Sequence, residues 1–281
     1  MKILMTALIL LGGMGVLAAA LARKGEAPAG APVESTAGRR VPVVVELFTS
    51  EGCSSCPPAD AVLAALEEEQ PVEGTEIIAL SEHVDYWNYI GWSDPYSSAA
   101  YSARQESYAG VMGNDRIYTP QMIVDGQAEF VGSNGAKARE AITRAARAPK
   151  ADVVLSRNRA AETDALAIAL DIRIREVPAI SSGDIAEVLF AITERRLTSS
   201  VSRGENAGRK LSHTAVVREL RALGRIDPAA RSYAGVTRMA FIDGWKREDL
   251  RAIVLIQERA HRKILGAASI EIGSRQSFSS R

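Results

Sequence analysis

Val45-Glu-Leu-Phe-Thr-Ser-Glu-Gly-Cys-Ser-Ser-Cys-Pro-Pro-Ala-Asp60 is the stretch on which the reading of the fold turns. Residues 43–48 form an apolar, β-branched run, interrupted by Glu46, and predict a buried strand. Residues 49–52 turn the chain. Residues 59–69 then take helical spacing, with Val62, Leu63 and Leu66 on one face. Pro57 and Pro58 suit a helix start, where N–H groups have no intrahelical acceptor. Cys53 and Cys56 therefore follow a strand and open a helix. The positive end of the helix dipole and its unpaired N–H groups favour a thiolate at Cys53. The thiolate is the attacking species in thiol–disulfide exchange. Cys56, one turn on, can resolve a mixed disulfide.

Working outward, residues 76–80 read as a second strand. Residues 97–111 are helix-compatible, with Tyr101, Gln105 and Tyr108 at i, i+4 and i+7. Two short apolar runs, 121–124 and 128–131, flank Asp125-Gly126-Gln127, a hairpin signal. Ser133 or Asn134 can cap a helix running to about residue 147. After Pro149 the texture changes. Runs at 151–155, 165–175, 186–193, 211–220, 238–242, 252–258 and 264–270 are strand-like, many of them alternating, with turn clusters between. The expected fold is thus an α/β domain over 41–149 followed by an all-β, sandwich-like domain over 150–273. A polar tail follows over 274–281.

The chain has 281 residues, with 34 basic and 34 acidic side chains and a formal net charge of zero. A balanced charge argues against recruitment to nucleic acid or anionic lipid. Residues 1–22 read as an export signal: Lys2 is the lone charge before an uncharged run from residue 3 to residue 20, and Ala20-Leu21-Ala22 offers a small-residue cleavage site. An uncleaved anchor is the alternative, since 3–22 approaches the ~20 residues a spanning helix needs. Residues 23–40 read as a flexible linker. Either way the rest of the chain is expected outside the cytoplasm, in a periplasmic setting, with no membrane span in the mature chain unless the signal stays attached.

The two cysteines sit three apart, and an oxidising compartment favours their pairing. A purely structural staple is the alternative. The chain-entropy model gives so small a ring only about 2 kcal/mol, against about 4.7 for a 100-residue loop. A zinc ribbon needs a second cysteine pair, which the sequence lacks. Cys53, Cys56 and His83 together offer a set suited to Cu(I) or zinc, and this is the metal alternative; otherwise no cofactor is expected beyond the redox disulfide. His213, alternating with Leu211 and Ala215, and His261 read as structural.

Thr119-Pro120 before a strand and an Asp-Gly hairpin, with the strand–loop–Cys-x-x-Cys–helix unit, resembles the thioredoxin superfamily. More closely, residues 45–60, His83-Val84-Asp85-Tyr86-Trp87, Gly91-Trp92-Ser93-Asp94-Pro95, Arg104-Gln105, Tyr118-Thr119-Pro120-Gln121 and Gly204-Glu205-Asn206 are similar to an exported bacterial thioredoxin-like family classified as a domain of unknown function. The resemblance implies a thioredoxin-like first domain, a cis Pro120 beside the cysteines, and Thr119 and Pro120 shaping a partner groove. It also suggests Glu46 as a proton relay for Cys56, although its spacing to Cys53 is one residue longer than usual; otherwise Glu46 pairs with a basic side chain or faces solvent. Ser54-Ser55 and Gly52 depart from ordinary thioredoxins.

The segment 81–98 carries His83, Trp87 and Trp92 and is either a binding loop for a protein or small thiol partner or a small local core. Residues 203–210 form a polar loop that could meet the first domain or a partner, or be a plain turn. The expected function is thiol–disulfide exchange by Cys53 and Cys56. The alternatives are copper or zinc handling and a non-enzymatic binding module.

Overall fold

A computed structural model describes residues 40–114, 116–162, 167–227 and 229–273. The expected signal, most of the linker and the tail lie outside these residues. In chain order the elements are β1 (Val41–Thr49), α1 (Pro57–Glu69), β2 (Thr75–His83), α2 (Ala99–Met112), β3 (Gln121–Val124), β4 (Ala128–Val131), α3 (Gly135–Ala145), β5 (Asp152–Arg157), β6 (Ala167–Arg175), β7 (Ala186–Glu194), β8 (Leu197–Ser200), β9 (Lys210–His213), β10 (Val216–Arg225), β11 (Tyr233–Ala240), β12 (Leu250–Glu258) and β13 (Ile264–Glu271). Among the described residues no helix is long and apolar enough to cross a membrane.

The fold-class expectation does not hold. A thioredoxin-like α/β domain followed by a separate β domain would have two sheets, each closed within its half. Instead one mixed sheet runs β13-β12-β7-β10-β2-β1-β3-β4 through both halves. The protein is mostly β, with few helices. The seam lies at β2, parallel to β1 along one edge. On the other edge Ser81 pairs with Val216 of β10, and the Ser81 N–H donates to the Ala215 carbonyl at 2.8 Å. A buried strand cannot leave its edge amides unpaired, and the second half of the chain supplies the partner.

Local chemistry sets the elements. Pro57 and Pro58 occupy the first turn of α1, and Cys56 is its N-cap. Gln70, in the left-handed region at φ 49°, ends it with an N–H to the Leu66 carbonyl. Ser98 caps α2 through Ala100 N, and Asn134 caps α3 through Lys137 N. Gly126 is required at its turn: at φ +69° it lies so close to Arg262 that a Cβ would stand 1.9 Å from that carbonyl oxygen.

Strand alternation sorts most of the buried side chains among the described residues. Val43, Val45 and Leu47 of β1 face α1 and α3, packing with Leu63, Leu66 and Ile142. Val44, Ile78 and Leu80 face the opposite way and meet Ile253, Leu255 and Ala267, so the large sheet curls back on itself. Beyond it, Val188, Phe190 and Val254 pack with Leu170 and Ile172 of a three-stranded sheet, β11-β6-β5. β8 and β9 form a separate hairpin.

Candidate functional site

β1 delivers a short loop, residues 50–56, to the mouth of α1. Cys53 and Cys56 are joined in a disulfide, with Cα atoms 5.4 Å apart. Both cysteines are fully buried, while Ser54 and Ser55 between them are exposed. The Cys53 N–H donates to the Ser50 carbonyl at 3.1 Å and the Cys56 N–H to the Cys53 carbonyl at 3.2 Å. Gly52 sits where a Cβ would press on Trp87 at 3.2 Å and Ile90 at 3.3 Å, so the aromatic loop closes directly over it.

A strap from the second half of the chain covers the same loop. The buried Asn206 amide donates to the carbonyls of Glu51 at 2.8 Å and Cys53 at 3.0 Å. Arg209 steadies it by donating to Asn206 Oδ1 at 2.7 Å. Beside it the Ser54 N–H donates to Glu205 Oε2 at 3.0 Å, and hydrogen bonding to Ser54 lowers the Glu205 pKa. The polar 203–210 loop therefore meets the cysteine loop.

Thr119–Pro120 is cis. Gly132 marks its place: a Cβ there would meet Leu47, Ala59 and Pro120, so the proline lies near the first turns of α1. Trp87 Nε1 donates to Thr119 Oγ1 at 2.7 Å and ties the aromatic loop to this corner.

Behind the disulfide lies a buried acid–imidazole network. His83, at the end of β2, has Nδ1 2.7 Å from Asp94 Oδ2, and the same oxygen accepts the Glu51 N–H at 2.8 Å. Glu51 in turn takes Trp92 Nε1 at 2.8 Å and stands 3.0 Å from His213 Nε2. Burial works against charge on His83, but the Asp94 carboxylate overcomes it and raises the imidazole pKa. Burial would likewise raise Asp94, yet His83 and two backbone N–H groups hold it below the usual carboxylate range. Asp60, one turn beyond Cys56 on α1, accepts a hydrogen bond from Thr49 Oγ1 at 2.9 Å. Its carboxyl is raised, chiefly by burial, with His213 and His83 pulling the other way. Part of Asp60 still opens onto a cleft of about 600 Å³ between α1 and the β8–β9 hairpin.

Glu46 is elsewhere. As an even-numbered residue of β1 it faces away from α1. Arg104 Nη2 lies 2.6 Å from its Oε1, and Tyr108 donates to its Oε2. Gln257 accepts from Arg104 at 2.9 Å, and Glu82 lies 3.3 Å from the same guanidinium. Burial lifts Glu82 well above the ordinary carboxylate range. Glu46 therefore takes the pairing with a basic side chain, Arg104, and faces away from the cysteines. The structure thus gathers Cys53, Cys56, Thr119, Pro120, His83, Trp87 and Trp92 around one corner and leaves Glu46 outside it. Glu51, Asp60 and His213 join the corner without having been expected there, and Asn206 comes with the 203–210 loop. Asp60 had a readable signal, because i, i+4 spacing places it on the Cys56 face of α1.

A family model described as "Protein of unknown function (DUF1223)" matches residues 44–257. The chain belongs to this family. Among solved structures, the crystal structure of protein AGR_C_4864 from Agrobacterium tumefaciens is 27% identical, with a TM-score of 0.63, over 86% of this chain and 99% of that one. The DUF1223 fold described above is therefore shared along nearly the whole length of that protein. A mutant of Bacteroides uniformis beta-glucuronidase 2 is 13% identical over 42% of this chain and 12% of its own, at a TM-score of 0.20 that carries no argument. No curated protein sequence matches.

Proposed function

We propose that this DUF1223 protein works outside the cytoplasm as a thiol–disulfide exchange protein through Cys53 and Cys56. The observation that carries the reading is the disulfide itself, closed at the N-terminal end of α1. A thiolate released there gains from the positive end of the helix dipole. The nearby cis Pro120 and the buried Asp60 carboxyl support it. The leader-like residues 1–22 support export.

In the exchange, a thiolate of a partner dithiol attacks Cys53 Sγ. The Cys53–Cys56 bond breaks, a mixed disulfide forms, and Cys56 leaves as a thiolate. The partner's second thiolate then attacks the mixed disulfide and releases Cys53. The partner is oxidised by two electrons to its disulfide, and its two protons end on Cys53 and Cys56. In this scheme Asp60, one turn from Cys56 on α1, passes the proton. Because both sulfurs are covered, the step requires the strap or the aromatic loop to move.

That cover favours a second reading, a binding module in which the disulfide is inert. Reduction followed by alkylation and by exchange with a dithiol peptide separates the two. Exchange activity lost in Cys53→Ser supports the first reading. Full activity in that variant refutes it, and a reduced wild type inert to alkylation supports the second.

A further inference from the structure

We propose that His83, His213 and Asp60 hold a divalent transition-metal ion of the zinc class at the floor of the cleft between α1 and the β8–β9 hairpin. The site uses no sulfur; it shares Asp60 with the exchange reading but does not require the cysteines to react.

The case starts with the two imidazoles. Each turns one ring nitrogen to a buried carboxylate: His83 Nδ1 to Asp94 at 2.7 Å, and His213 Nε2 to Glu51 at 3.0 Å. A carboxylate behind a histidine fixes its tautomer, orients the ring and makes the far nitrogen more basic, as the outer partners of metal-ligating histidines do. The far nitrogens, His83 Nε2 and His213 Nδ1, are both buried and both lack a hydrogen-bond partner. Buried polar atoms are seldom left so, and here two occur on rings whose centroids are 4.9 Å apart.

Asp60 supplies the third donor. It lies within electrostatic reach of both imidazoles, and Thr49 Oγ1 donates to its Oδ1. Asp60 and His213 both line the cleft, which gives an ion a way in and leaves positions open on it. Two imidazoles and one carboxylate suit a first-row divalent ion. The three donors come from α1, β2 and β9, so an ion there would pin together strands and a helix from both halves of the chain. Asp94 and Glu51 would act as positioning residues.

Another group has its donors already within 4.8 Å of one another: Asp184, Glu258 and His261. It carries no such argument. Asp184 accepts from three backbone N–H groups and from His261 Nδ1, and Glu258 accepts from Ser181 through both oxygens. The His83, His213 and Asp60 donors do not all lie within 4.8 Å of one another as they stand, and binding requires the three to draw together.

The test is titration of metal-stripped, oxidised protein with Co2+, read by visible absorption, and with Zn2+, read by calorimetry. One equivalent is expected to bind. His83→Ala and His213→Ala should each weaken binding by roughly 100-fold, and Asp60→Asn and Glu51→Gln by at least roughly tenfold. If either histidine variant fails to fold, the Asp60 and Glu51 variants decide. Binding unchanged in folded Asp60→Asn and Glu51→Gln overturns the proposal. So does binding that appears only after reduction, which would assign the ion to the cysteines, or binding lost in His261→Ala.

Discussion

Removing the Asn206 amide should open the cysteine loop. In Asn206→Ala the carbonyls of Glu51 and Cys53 lose their shared donor, and Arg209 loses its acceptor. Two buried hydrogen bonds at about 1 kcal/mol each amount to about 2 kcal/mol. If that loss falls on the closed form of the loop, the open population rises roughly 30-fold, since 1.4 kcal/mol is a factor of ten. The Cys53–Cys56 sulfurs are buried in the closed form, so a small reductant acts on the open one. The rate of disulfide reduction by dithiothreitol, followed in the limit where opening is rapid, should rise by the same factor. Urea unfolding of the same variant gives the global loss. A reduction rate within twofold of wild type refutes the strap as the gate. A rate increase fully explained by global unfolding refutes it as well, because the effect must be local.

Two further predictions rest on buried charge. Arg104→Met strips Glu46 and Glu82 of their shared cation and should cost about 3–5 kcal/mol in urea unfolding; a loss below about 1 kcal/mol would contradict the pairing. The His83–Asp94 pair predicts a pH signature. His83 has a folded pKa above its unfolded value, so its contribution is fully present below the unfolded value and is lost as pH rises through the folded one. The stability gap between wild type and Asp94→Asn should therefore shrink only as pH rises above the ordinary histidine value of 6.5. Asp94 is depressed in the folded state, so the gap should also shrink as pH falls below the ordinary carboxylate range. A gap flat with pH would show that His83 carries no charge in the folded protein.

Local structure was legible where it depends on periodicity. The helices of the first half and the Asp125–Gly126 hairpin stand close to where spacing puts them. The joining of the halves was not legible, because the bond from Ser81 to Ala215 is long-range and no local pattern announces which buried edge seeks which strand. The expected run at 211–220 is in truth two strands, separated at Ala215 by a left-handed residue that alternation hides. β8, mostly Thr and Ser, gave too little apolar signal. Glu46 and Asp60 show the same limit at the site. Both are acids near the cysteines in sequence, but the facing of β1 turns Glu46 to Arg104, while the first turn of α1 sets Asp60 beside Thr49 and Cys56.

The strap lies far downstream of what it covers: Asn206 follows Cys53 by 153 positions. A chain synthesised at about 5–20 residues per second needs roughly 8 to 30 s to cover that distance. Throughout that interval the two thiols have emerged and their cover has not yet been made. The cysteines can thus be oxidised on the unfinished chain by any oxidant that meets them. A bond made at that stage would be enclosed by the finished protein without the enclosure ever having had to open.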